Sequence, residues 1–140
     1  MVKAPSVGHV IKYAYLWRNE YYQGLSEGRK ERPACVIVNR VLENNQRVLF
    51  VMPITHSQPR DEDNAVLLPA ETKLRLGLDS EPSWIITNEV NKFIWPGFDV
   101  RRCDNGTYSY GCLPESIIKQ CLDAVKKHSR QRSLQAVSRD

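Results

Sequence analysis

Ser26-Glu27-Gly28-Arg29-Lys30-Glu31-Arg32-Pro33-Ala34-Cys35-Val36-Ile37-Val38 changes character halfway along. Its first half is charged and carries a glycine, the composition of a loop. Its second half is apolar and rich in β-branched residues, the composition of a buried strand. Arg32 and Pro33 stand at the join. A guanidinium is thereby held at the mouth of a rigid strand and fed by a loop, an arrangement that commonly carries binding and catalytic groups. The apolar run Ala34 to Asn39 predicts a central strand covered on both faces.

Outward from this strand the pattern stays β. Glu43-Asn44-Asn45-Gln46 is a polar turn between two apolar runs, a hairpin signal. The next strand, Arg47 to Ile54, is limited by Pro53, because proline cannot donate to a ladder. It ends in a polar cluster, Pro53-Ile54-Thr55-His56-Ser57. Upstream, Val7 to Tyr13 reads as a first strand with Gly8 at its start. Tyr13, Tyr15, Trp17, Tyr21 and Tyr22 follow closely. Most of these rings are read as packing of a hairpin arm, and one or two also as platforms for unpaired bases.

Downstream, Gln58 to Asn64 is a charged loop and Ala65 to Leu68 a short strand. Pro69 to Gly77 predicts a short helix, with Pro69 suited to its first position and Gly77 to its C-terminal cap. Strands are expected at Ser83 to Thr87 and Phe93 to Trp95, and Tyr108 to Leu113 closes the sheet. Leu113, Ile117, Ile118, Cys121, Leu122 and Val125 fall on one face of a terminal helix near 114–126. Many short strands with two helices predict a mainly β protein, a small antiparallel barrel or half-barrel.

The 140 residues suit one domain, expected over 1–126. The basic segment 127–140, with Lys127, Arg130, Arg132 and Arg139, reads as a solvated, disordered tail. The net charge of +4 permits an anionic partner. Nothing approaches the roughly 20 apolar residues that span a bilayer, so no membrane association is expected. The first residues hold no apolar leader, and the cysteines at 35, 103, 112 and 121 form no CxxC pair. Reduced thiols in the cytoplasm are the expectation.

Pairing of the second and third strands as a hairpin would bring two polar strand ends together. One offers Glu27, Arg29, Lys30, Glu31 and Arg32; the other offers Thr55, His56 and Ser57. Arginine grips a phosphate bidentately and stays charged. A threonine hydroxyl donates to a phosphoryl oxygen, and histidine or glutamate moves protons. The set suits phosphodiester cleavage without a metal or cofactor. By spacing alone, a surface ion pair and a strand-end cap explain the same residues.

Three stretches give the chain its resemblance to the MazF/PemK/Kid toxins of type II toxin–antitoxin systems. Gly8-His9-Val10-Ile11 is similar to the family's opening Gly-Asp-(Val/Ile) strand, with His9 in the Asp position. Glu27 through Arg32-Pro33-Ala34 resembles its Glu-x-x-x-x-Arg-Pro signature. Pro53-Ile54-Thr55-His56-Ser57 resembles its Pro-x-Thr-(Thr/Ser) segment. The likeness runs to about Val125.

The resemblance implies an SH3-like barrel of the CcdB/PemK type. It also implies a metal-independent, sequence-specific endoribonuclease acting on single-stranded mRNA. In that chemistry the 2′-hydroxyl attacks its own phosphate, leaving a 2′,3′-cyclic phosphate and a free 5′-hydroxyl. Arg32 would stabilise the phosphorane and serve as a general acid. Thr55 would hold a non-bridging oxygen, and Glu27 would be base or substrate contact. Arg29, Lys30, Ser57, Trp17 and Asn88 complete the expected RNA-binding set.

A homodimer and a cognate antitoxin, whose disordered acidic segment folds on binding, are the implied protein partners. The chain also departs from the pattern. His56 replaces a small hydroxyl residue, and is either a proton carrier or an inert substitution. Asn88 stands where some members place a catalytic Asp, and Ile86 where they place an Arg. Those departures keep two other readings open on the same fold: a CcdB-like enzyme poison and a non-catalytic nucleic-acid-binding module.

Overall fold

The structure, a computed structural model, describes residues 3–18, 31–97 and 99–139. The described residues form nine strands: β1 (His9–Ala14), β2 (Glu31–Val41), β3 (Arg47–Thr55), β4 (Ala65–Leu67), β5 (Trp84–Ile86), β6 (Glu89–Trp95), β7 (Val100–Arg101), β8 (Gly111–Cys112) and β9 (Gln135–Ser138). Two helices join them, α1 (Ala70–Arg75) and α2 (Glu115–Arg130), and a 3-10 turn spans Glu62–Asn64. Among the described residues, no helix is long and apolar enough to cross a membrane.

β3 is the central strand. One of its edges takes β2, with Ala34 opposite Pro53 and Val41 opposite Arg47. Its other edge takes two partners in succession. Residues 47–51 pair with β6, and Ile54 and Thr55 pair with Ile85 and Trp84 of β5. Onward, β2 pairs with β1, β1 with β7 and β8, and β5 with β4. All of these ladders are antiparallel. The mainly β, barrel-like expectation is met.

The alternation of side chains explains why β2 and β3 are apolar at nearly every position. Successive residues point to opposite faces, and both faces are covered. Cys35 and Ile37 of β2, with Met52 and Ile54 of β3, pack into one cluster with Ile117 and Cys121 of α2. Ala34 and Val36, with Leu49 and Val51, pack into the other with Ile11, Tyr13, Tyr15 and Phe93. A register shift between Val36 and Val38 marks a bulge in β2. Tyr13 is fully buried and stacks on Phe93 at 4.9 Å, so this aromatic residue packs the core. Tyr21 and Tyr22 lie outside the described residues.

Helix α2 buries the expected stripe. Ile117 and Cys121 are buried, and Ile118, Leu122 and Val125 pack against the same cluster. All four cysteines are free thiols. Cys35 donates to the Val36 carbonyl at 3.6 Å, and the neighbouring Cys121 thiol of α2, together with burial, pushes the Cys35 thiol up.

The segment after Lys126 differs from expectation. It is ordered structure, not a disordered tail. α2 continues to Arg130, and β9 adds to the free edge of β6, pairing in parallel from Glu89↔Gln135 to Lys92↔Ser138. His128 is buried in the last turn of the helix, its carbonyl accepting from the amides of Ser133 and Leu134. Arg139 then bonds Asp99 at 2.8 Å and the carbonyl of Ala14 at 2.9 Å. These contacts join residues far apart in the chain, and local composition carries no trace of them.

Candidate active site

The mouth between the ends of β2 and β3 is a cleft of about 460 Å³. Extending the register by two residues from Ala34↔Pro53 sets Arg32 opposite Thr55. Arg32, Thr55, His56 and Ser57 all line the cleft, with Glu31, Lys73, Asp79, Glu81 and Ser83. The two polar strand ends therefore meet, as the hairpin reading requires.

Each side chain has a local reason for its position. The Arg32 guanidinium lies over the Trp17 ring, 5.2 Å from its centroid, and Trp17 packs edge-on against Tyr15 at 5.2 Å. A cation on an aromatic face gains about 0.5–2 kcal/mol and loses much of its freedom. Trp17 is thus placed under Arg32. Thr55 is nearly buried, and its oxygen accepts from the Ser57 amide at 3.1 Å. That leaves the threonine hydroxyl hydrogen for another acceptor.

Glu31 leans away on Arg101 at 3.3 Å and Lys12 at 3.8 Å. Tyr15 lies beside the Glu89 carboxylate; burial first, and that charge second, raise its pKa well above the usual value.

Sequence reasoning missed a second group in the cleft. Lys73 of α1 is buried, while its neighbour Leu74 faces solvent. A buried ammonium demands partners. Lys73 Nζ has three: Asp79 Oδ1 at 2.7 Å, Ser83 Oγ at 2.6 Å and the Glu81 carbonyl. The hydrogen bond from Lys73 is the main reason that the Asp79 carboxyl titrates below its ordinary range. His56 joins the same group. Its Nε2 lies 2.8 Å from Asp79 Oδ2 and 3.4 Å from Glu81 Oε2. Its Nδ1 lies 2.9 Å from Ser83 Oγ and 3.2 Å from the Pro82 carbonyl.

Ladder geometry brings these together. Thr55 pairs with Trp84, so the next residues outward, His56 and Ser83, are neighbours. No periodicity flags the group, because Lys73, Asp79 and Ser83 reach it from a helix, a loop and a strand end.

Three ligand-type atoms of His56, Asp79 and Glu81 lie within 4.8 Å of one another. They already satisfy each other and Lys73. Asn88 is not among the cleft residues; it lies in the β5–β6 turn, where its carbonyl accepts from the Gln135 amide. Glu27, Arg29 and Lys30 lie outside the described residues.

Fold and cleft together define a small, mainly β domain with an arginine and a threonine at one strand-end mouth. Residues 16–128 match the family model described as the PemK-like, MazF-like toxin of type II toxin-antitoxin systems, and the chain belongs to that family. A type II toxin has an antitoxin as its partner. No individual curated protein gives a significant match.

Proposed function

We propose that the chain is a metal-independent, sequence-specific endoribonuclease that cleaves single-stranded mRNA. The observation that carries this is the meeting of Arg32 and Thr55 in one cleft, at the join predicted for a phosphate grip. The 2′-hydroxyl gives its proton to a base and its oxygen attacks the adjacent phosphorus; the bond to the 5′-oxygen breaks, and that oxygen takes a proton, with Arg32 as the proposed general acid, leaving a 2′,3′-cyclic phosphate and a 5′-hydroxyl. Negative charge grows on the phosphoryl oxygens as the phosphorane forms. Arg32, pre-positioned on Trp17, and the Thr55 hydroxyl supply donors aimed at that charge, the kind of preorganisation that contributes most to catalysis. Glu27 is the proposed base or substrate contact on the loop, with Arg29, Lys30 and Ser57 gripping the RNA.

The lining charges bear on this reading. Glu31, Asp79 and Glu81 outnumber Arg32 and Lys73 in the cleft. Asp79 is neutralised by Lys73, and Glu31 is turned onto Lys12 and Arg101. Arg32 is thereby left as the cleft cation with which a phosphate pairs, and Arg29 and Lys30 are proposed as further cationic contacts to the RNA. The toxin is proposed to act in the cytoplasm as a homodimer and to be silenced by its antitoxin at the RNA groove.

The test is incubation of the purified protein with a long single-stranded RNA in excess EDTA, followed by end-group analysis. Discrete fragments ending in cyclic phosphate are expected, with a 2′-deoxy substrate left intact. Arg32→Ala is expected to abolish cleavage while RNA affinity stays within roughly tenfold, since the loss falls on the transition state. Equal cleavage by the variant and the parent would remove Arg32 from the chemistry. Absence of cleavage on several RNAs would favour a binding module or an enzyme poison on the same fold.

A further inference from the structure

We propose that His56 is a positioning residue and not a proton carrier, held by a closed hydrogen-bonded ring that runs through Lys73, Ser83 and Asp79. The assignment rests on the ribonuclease reading of the cleft and deepens it. The ring can be followed atom by atom. Lys73 Nζ donates to Ser83 Oγ at 2.6 Å and to Asp79 Oδ1 at 2.7 Å. Ser83 Oγ shares a hydrogen with His56 Nδ1 at 2.9 Å. His56 Nε2–H donates to Asp79 Oδ2 at 2.8 Å, because an ionised carboxylate has no hydrogen to give. The two oxygens of Asp79 thus close the ring between Lys73 and His56.

Both imidazole nitrogens are used within the protein. A general acid or base must have one nitrogen within hydrogen-bond reach of the reacting oxygen. His56 reaches it only by breaking this ring. The order Ser83–His56–Asp79 resembles a nucleophilic triad, but Ser83 is 1% exposed and also bonded to Lys73. Its oxygen is thereby committed within the group, to Lys73, His56 and the Glu81 carbonyl. The group is instead a clamp. His56 lies between Thr55 and Ser57, so tying its ring to residues 79–83 fixes the end of β3 across the cleft. Lys73, buried at the centre with its three donors all used, anchors the clamp to α1.

Substitution of His56 separates the two roles. His56→Gln keeps an amide donor in place of the titratable ring, whereas His56→Ala bridges nothing. The ring side chain is 42% exposed, so both variants should fold. A clamp predicts that His56→Gln retains kcat within about threefold and the parental pH–rate profile. It predicts that His56→Ala loses about 10–100-fold in kcat/KM, as loss of an orienting partner does. Lys73→Met should match His56→Ala, and the double variant should be no worse than either, since both break one network. A proton-carrying His56 predicts the reverse: His56→Gln loses 10²-fold or more in kcat, together with one limb of the pH profile. That result would overturn the proposal.

A second readout does not need RNA. The hydrogen-bonded Nε2 proton of His56 should give a persistent histidine signal in proton–nitrogen NMR spectra of the free protein. It should vanish in Asp79→Ala and Lys73→Met. Its persistence in both variants would overturn the ring. If the parent shows this signal but cuts no RNA, the ribonuclease reading fails while the ring stands.

Discussion

Arg32 shows how much one residue position can carry. Proline follows it, an apolar strand follows that, and the fold places it opposite Thr55 above Trp17. The sequence marked this arginine because a charged loop changes to a buried strand there. It gave no sign of Lys73, whose place in a six-residue helix looks solvent-facing beside Leu74. Tertiary satisfaction of its three donors outweighs its preference for water.

Titrating residues set a prediction at this scale. Asp79 is held low first by its hydrogen bond from Lys73, and His128 is held low by burial. Both groups therefore bind protons more readily in the unfolded chain, so stability rises with pH through their windows. On acidification, the thermal midpoint should begin to fall below the ordinary histidine value of 6.5, as unfolded His128 takes up its proton. A second fall should begin near the ordinary carboxylate value of 3.8, as unfolded Asp79 does the same. Melting curves across pH check both steps. His128→Asn should remove the first step only; a parent midpoint flat between pH 7 and 5 would contradict the assignment.

At the scale of elements, the start of β1 is pressed against α2. Gly8 has φ +93, and a Cβ there would come within 2.3 Å of Ile118 Cδ1. Gly8→Ala should cost ~2–4 kcal/mol, combining overpacking with left-handed backbone strain. Gly77 is the matched control. Its φ of +72 is similar, but a Cβ would meet nothing within 4 Å. Gly77→Ala should therefore cost only the conformational part, ~1–2 kcal/mol. Urea midpoints compare the two, and equal shifts would deny the contact between β1 and α2. The strands and the apolar face of α2 were legible from periodicity. β8 fell within the strand expected at 108–113, but β7 was not legible, since two residues carry no period and form a strand only because β1 offers an edge.

Across the whole molecule, the last residues lock the first and middle parts together. Arg139 has only 3% of its side chain exposed and ties Asp99, Ala14 and Asn91 in one group. Asn91, fully buried, also bonds both the amide and the carbonyl of Leu16. Arg139→Ala removes the ion pair with the largely buried Asp99 together with the hydrogen bonds to Ala14 and Asn91, and should cost ~3–5 kcal/mol. Denaturant unfolding of the full-length variant measures this; a change below ~1 kcal/mol would mean that the terminus is a surface ornament.

The sequence by itself determined the β class, the two-faced burial of β2 and β3, the apolar face of α2 and the Arg32–Thr55 mouth. Each of these is written in a local period or at a junction of composition, and local patterns survive without tertiary contacts. Only the tertiary structure decided that the basic terminus pairs with β6, that Asn88 lies apart from the cleft and that Lys73 lies within it. Those outcomes depend on which distant groups satisfy a free strand edge or a buried charge, and no window of neighbouring residues contains that information.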